Sequence, residues 1–297
     1  MADRPEQPRT LEATGPWPFI TRRLVRHADG SHAVWRAREH RKGLVPAEAR
    51  PPGGLPRQLL RGLRRAGTLN WWIACLFAIG ASLFAIGCLP VVAPPLATAL
   101  GLDTAGANRV FFAGSIFFTT AAGLQLHQAG NAGAFGPEGA GGGAPPCRVL
   151  FGWRPQDAGW LSCALQFPGT LLFNVNTFAA MLPGLSPARQ DLEVWVPDVV
   201  GSVLFLASGA LAYAEVCHAW RGWRPASLSW WVAASNLAGC IAFMISAVFA
   251  FVPLAPGAAD HVALATVFTF LGALGFLAGA LLMLPENAPA PQPPAQR

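Results

Sequence analysis

LNWWIACLFAIGASLFAIGCLPVV, residues 69–92, contains no Asp, Glu, Lys or Arg, and the uncharged run around it extends from Arg65 to Asp103. A helix rises 1.5 Å per residue and crosses ~30 Å of hydrocarbon in about 20 residues. A stretch this long and this apolar reads as a membrane span. Further uncharged runs lie between Asp157 and Arg189, Arg224 and Asp260, and Asp260 and Glu286. Each is long enough to cross a bilayer.

Composition agrees. Of 297 residues only 12% are charged and 53% are apolar, with mean hydropathy +0.39. Soluble domains carry about 25% charged residues, so this chain cannot cover a water-facing surface. Six apolar spans are expected, at about 71–92, 110–128, 159–182, 198–217, 229–252 and 262–284. The expected fold is all-α, a polytopic membrane protein of six transmembrane helices arranged as three tandem helical hairpins.

The net charge of +6 and pI near 9.5 do not indicate nucleic acid, because 14 of the 21 basic residues precede residue 70. The rest sit mostly in loops, as cytoplasmic flanks of membrane spans do. Nine basic residues near span ends fall on one side of the membrane, namely Arg57, Arg61, Arg64, Arg65, Arg148, Arg154, Arg221, Arg224 and Arg297. Two, Arg109 and Arg189, fall on the other. This bias predicts that both termini lie in the cytoplasm. Trp71, Trp72, Trp153, Trp160, Trp220, Trp223, Trp230 and Trp231 map to the same level, as an interfacial aromatic belt.

Residues 1–69 read as a basic cytoplasmic arm without an apolar signal segment. Residues 1–16 are expected to be disordered. Asp29-Gly30 suggests a β-hairpin over 18–40. Leu59, Leu60 and Leu63 among Arg57, Arg61, Arg64 and Arg65 suggest an amphipathic helix over 55–68, touching anionic lipid headgroups. The bilayer is the expected partner, with a homo-oligomer or an unidentified protein as further candidates. The hairpin units are expected at 70–128, 158–217 and 228–286. A Gly/Pro-rich loop over 129–157 and a Pro-rich tail over 287–297 complete the chain.

Every span repeats Gly, a small residue, two variable residues, then Phe. The pairs are Gly80/Phe84, Gly114/Phe118, Gly169/Phe173, Gly201/Phe205, Gly239/Phe243 and Gly272/Phe276. Within successive pairs of spans the glycines are 34, 32 and 33 residues apart. A unit of about 60 residues present three times is the simplest reading. Residues four apart share a helix face, so each glycine offers a groove and each phenylalanine fills one. Close van der Waals contact of this kind joins membrane helices.

The segments Asn70-Trp71-Trp72-Ile73-Ala74, Gly80-Ala-Ser-Leu-Phe84 and Phe111-Phe112-Ala113-Gly114-Ser115-Ile116-Phe117-Phe118 resemble the YrhK-type membrane domain of bacteria, a two-helix module. The resemblance covers 69–128 and extends to 158–216 and 228–286 through the repeat. It implies a fold and no activity. The second unit departs from the pattern, with Pro168 inside its first span and a single Trp160.

Register brings Gln128, Glu215 and Glu286 to equivalent span ends, and Gln166 to the level of Asn236. Glu215 and His218 form Glu-x-x-His, and Asn174 lies near Pro168. These seven are the candidates for a polar or ion site. Their plainer reading is interfacial capping at headgroup level. The six cysteines (75, 88, 147, 163, 217 and 240) form no Cys-x-x-Cys pair and read as packing residues. The run Gly139–Gly143 lacks the ending of a phosphate-binding loop. No cofactor, metal or catalytic constellation stands out, so an enzyme is the less favoured reading. The favoured function is a membrane scaffold or accessory protein, with a small-solute or ion transporter or channel as the alternative.

Overall fold

In the computed structural model, residues 9–44, 46, 54–64, 66–133, 148–251 and 258–286 are described. The chain opens with strands β1 (Arg9–Thr14), β2 (Arg22–Arg26) and β3 (His32–Arg36), followed by helix α1 (Ala37–Lys42) and helix α2 (Leu55–Leu63). The long helices are α3 (Leu69–Gly87), α6 (Thr104–Gly130), α7 (Ala158–Ala179), α9 (Val196–Cys217), α10 (Leu228–Phe249) and α11 (Ala258–Glu286). Short helices α4 (Leu89–Val92) and α5 (Pro94–Ala99) join α3 to α6. Helix α8 (Pro187–Gln190) and a π-helical turn (Asp191–Trp195) lead into α9 without a break.

The β-sheet corrects two expectations. The fold is not purely helical, and residues 9–14 are a strand rather than disordered. β1 pairs antiparallel with β2, and β2 with β3. Asp29-Gly30 does form the β2–β3 turn. Gly30 takes φ +83°, and the Asp29 carboxylate accepts from Ser31 N and Oγ at 2.9 and 2.6 Å. The hairpin stops at Arg36, and the next six residues are helical. Helix α2 is shorter than expected, ending at Leu63, with Arg57, Arg61 and Arg64 exposed. Arg65 lies outside the described residues, as do the bulk of the Gly-rich loop (134–147) and the tail from 287.

Starts of the long helices are written locally. Thr68 caps α3, Asp157 caps α7 and Ser227 caps α10, each accepting from backbone N–H groups of the first turn. Such caps satisfy donors that a helix leaves unpaired. All three stand twelve residues before their helix's glycine (68 to 80, 157 to 169, 227 to 239).

Among the described residues five helices are long and apolar enough to cross a membrane: α3, α6, the continuous run Pro187–Cys217, α10 and the Asp260–Glu286 part of α11. The remaining expected span, 159–182, falls on α7, which does not reach that hydropathy. Helix α7 has 22 residues, but Gln166, Pro168, Asn174 and Asn176 lower its hydropathy. Those amides reach neighbours: Asn174 Nδ2 donates to Thr119 Oγ1 at 2.9 Å, and Asn176 Nδ2 to Asp198 Oδ1 at 3.0 Å. Large apolar side chains face outward around the barrel of helices, among them Ile79, Ile116, Val175, Val203, Ile241 and Leu274. An apolar exterior of this extent suits lipid rather than water.

The six long helices form a closed ring in the order α3, α6, α7, α9, α10, α11 and back to α3. Within α3/α6, α7/α9 and α10/α11 the glycines and phenylalanines interlock. A Cβ added at Gly80 would meet the Phe118 ring at 2.9 Å, and one at Gly114 the Phe84 ring at 2.8 Å. Gly169 stands in the same relation to Phe205 at 2.8 Å and Gly201 to Phe173 at 3.2 Å. Gly239 faces Phe276 at 2.9 Å, and Gly272 faces Phe243 at 3.1 Å. All six rings are at most 5% exposed. They touch across the ring as well as within pairs: Phe84–Phe243 at 5.9 Å, Phe173–Phe243 at 5.7 Å, Phe118–Phe276 at 5.6 Å and Phe205–Phe276 at 5.8 Å between centroids. An aromatic plug therefore fills the centre of the bundle.

Candidate functional site

Glu215 and Glu286 stand at the C-terminal ends of α9 and α11, where the helix dipole disfavours negative charge. Each lies ten residues after its helix's phenylalanine (205 to 215, 276 to 286), and Gln128 lies ten after Phe118. As interfacial caps these side chains would reach toward water, but they are buried. Gln128 and Glu215 are 1% exposed and Glu286 is 0% exposed. What meets the two glutamates is the arm.

Helix α1 is too short to persist alone. Its sequence, AREHRK, puts Arg38, Arg41 and Lys42 at i, i+3 and i+4, hence on one face. Gly43 ends it in the left-handed conformation (φ 62°), returning its N–H to the Glu39 and His40 carbonyls. At the other end Ala37 N donates to Thr21 O at 2.9 Å, fixing the helix to the sheet. The basic face then enters the mouth of the helix ring.

Arg41 Nη2 lies 2.6 Å from Glu215 Oε2, and Arg41 Nη1 reaches Cys163 Sγ at 3.8 Å. Arg38 grips Glu286 with Nη2 at 2.8 Å and Nε at 3.4 Å. Lys42 Nζ is 4.0 Å from Glu286 Oε2, and Ser229 Oγ donates to Glu286 Oε1 at 2.6 Å. The fit depends on Gly159, because a Cβ there would overlap both Arg41 Nε and Glu215 Oε1. Gly159 and Ser229 each stand ten residues before the glycine of their helix (159 to 169, 229 to 239), facing the carboxylates of Glu215 and Glu286 respectively.

The electrostatics are those of buried pairs. Burial opposes the charge on Arg41, but the Glu215 carboxylate outweighs it and holds the guanidinium's pKa above its ordinary value. Lys42 has no comparable support. Burial, and next the Arg38 charge, push its ammonium down to about 7 despite Glu286. His40 is lowered by burial and then by Arg154.

Below α1 lies a cavity of about 40 Å³, lined by Arg38, Arg41, Lys42, Gln125, Gln166 and Asn236, with Phe77, Phe205 and Phe276 among its apolar walls. That volume holds a few waters or one small ion. Gln166 and Asn236 do meet here. Asn174 does not, being bonded to Thr119 between α6 and α7. His218 does not join Glu215 either. It caps α9 with φ 54°, its Nδ1 is 2.9 Å from Thr21 Oγ1 of the arm, and burial pushes its pKa down to about 4, with Arg224 the next cause. Among the described residues no three His, Cys, Asp or Glu gather as a metal site.

Sequence reasoning missed Arg38, Arg41 and Lys42 as partners of the glutamates. The signal available was the carboxylates themselves, since two acidic residues at the ends of apolar helices need buried cations. The tryptophan belt is also uneven. Trp153, Trp220 and Trp223 are exposed, whereas Trp160 and Trp230 are buried, the latter donating to Gly222 O at 3.1 Å.

No protein-family model matches this chain, and comparison with curated proteins and with solved structures gives no match. The structure defines a multi-pass membrane protein by its apolar helices. Its role must be argued from the site.

Proposed function

We propose that the chain is a six-span scaffold or accessory protein of the bacterial plasma membrane, built from three tandem hairpins of YrhK-type character, with its sheet-bearing arm held at the cytoplasmic face. In this reading α7 is the sixth span. Its 22 residues would extend ~33 Å, and its amides are paired with helices α6 and α9 rather than facing lipid.

The observation that carries the reading is the docking of α1 by two ion pairs in which every partner is at most 8% exposed. Breaking one such pair costs about 3–5 kcal/mol. An arm held by two of them is a fixed platform, and the aromatic plug beneath it suits a solid bundle. The exposed arginines of α2 then lie beside anionic headgroups.

The alternative, transport of a small solute or ion, draws on the polar cavity under α1, with the arm as a gate. Flux in proteoliposomes separates the two. The scaffold reading expects tracer flux at the level of empty vesicles, both in the native protein and when Glu215→Gln loosens the arm. Flux that rises on loosening the arm refutes the scaffold and supports the gate.

A further inference from the structure

Among the described residues the mouth of the bundle holds three buried cations, Arg38, Arg41 and Lys42, against the carboxylates of Glu215 and Glu286, while the buried Glu39 is paired with Arg36 at 3.2 Å. Asp157 and Arg154 flank the group and leave its surplus unchanged. With Lys42 protonated, one positive charge is therefore in excess where water is scarce. A buried charge without a counter-charge is among the least favourable features a fold can contain.

The same three cations line the cavity, and the groups facing them are rich in donors. Gln125, Gln166 and Asn236 bring amide N–H groups from α6, α7 and α10, whereas the Ser162 and Ser208 hydroxyls bond each other and the Ser208 carbonyl. Arg41, 2% exposed, also lines the cavity, and its Nε has no hydrogen-bond partner among the described residues. The remaining walls are Phe77, Phe205, Phe276 and small apolar residues. Cation, amide donors and apolar walls around a space of about 40 Å³ suit a weakly hydrated monovalent anion.

We propose that this cavity binds a chloride-sized anion, which balances the surplus charge of the arm and thereby fastens α1 to the bundle. The site is independent of whether the protein is a scaffold or a transporter. A water-filled cavity beside a neutral Lys42 is the competing state, and the following experiment distinguishes them.

The intact purified protein is unfolded thermally in nanodiscs while tryptophan fluorescence is followed. Chloride replaces gluconate at constant ionic strength and pH 7. Binding predicts a saturable rise in midpoint, roughly 3–6 °C at ten times the dissociation constant. Bromide should act like chloride. Lys42→Gln removes the surplus charge and should abolish the rise, whereas Lys42→Arg should retain it. Gln166→Leu keeps similar volume but deletes a donor, and should raise the half-saturating chloride concentration about threefold to tenfold. If Lys42→Gln does not fold, Gln166→Leu decides alone. An equal midpoint in chloride and gluconate overturns the proposal. So does a rise that both Lys42→Gln and Gln166→Leu leave unchanged.

Discussion

Removing Arg41 while leaving Glu215 in place tests whether the arm is fastened by charge. In Arg41→Met the Glu215 carboxylate, 1% exposed, loses the cation that lies 2.6 Å from it. Its Oε1 already lacks a hydrogen-bond partner among the described residues, so the stranded charge has little local relief. Stranding a buried charge in this way costs about 3–5 kcal/mol. For a domain of this size each kcal/mol moves the midpoint by about 2–4 °C, so a fall of roughly 6–20 °C is expected. Adding Glu215→Leu removes the stranded charge, and an apolar replacement of a buried pair is often neutral or better. The double variant should therefore be more stable than Arg41→Met alone, with a coupling of about 2–3 kcal/mol. Thermal unfolding in nanodiscs supplies the midpoints, and limited proteolysis between α1 and α2 reports release of the arm. Additive losses in the two single changes would show that the pair is not coupled, and the docking argument would fail.

Other consequences follow from the same contacts. Gly159→Ala should dislodge Arg41 and Glu215 together, lowering the midpoint about as far as Arg41→Met, since the new methyl overlaps both side chains. Gly239→Ala puts a Cβ 2.9 Å from the Phe276 ring and 3.0 Å from the Gly272 carbonyl, and should cost about 1–3 kcal/mol. Gly184→Ala meets no neighbour but sits at φ 72°, so its cost of about 1–2 kcal/mol is backbone strain alone. Lys42 gives a pH dependence. Its folded pKa of about 7 lies below the ordinary 10.5, so the released arm binds more protons between those values, and docking strengthens as pH rises from about 7 to 10.5. Arg38 and Arg41 on α1, Glu286 on α11 and Cys163 on α7 are the charged or titratable groups acting on it. Protease protection of the arm against pH should show this slope, and Lys42→Met should flatten it. Finally, Cys147 should react with an impermeant thiol reagent only in opened cells. Labelling of intact cells would invert the orientation.

Much of this was legible because it is local. Long uncharged runs announce lipid, since a helix carries its own backbone hydrogen bonds and needs only apolar side chains to dissolve in hydrocarbon. The Gly–Phe spacing and the capping residues Thr68, Asp157 and Ser227 also sit within single helices. Register alone aligned Gln128, Glu215 and Glu286. The environment of those residues was not legible, because a side chain at a helix end is exposed or buried according to what lies over it.

What meets the two glutamates comes from far along the chain. Arg41 is 174 residues from Glu215, and Arg38 is 248 residues from Glu286. The amino-acid sequence by itself determined the membrane class, the helical positions and the matching glycine and phenylalanine faces, all consequences of short-range periodicity. Only the tertiary structure decided that the helices close into a ring around six phenylalanines and that a six-residue helix of the arm seats three cations in its mouth. Charges pair through space, and that pairing leaves no periodic trace along the chain.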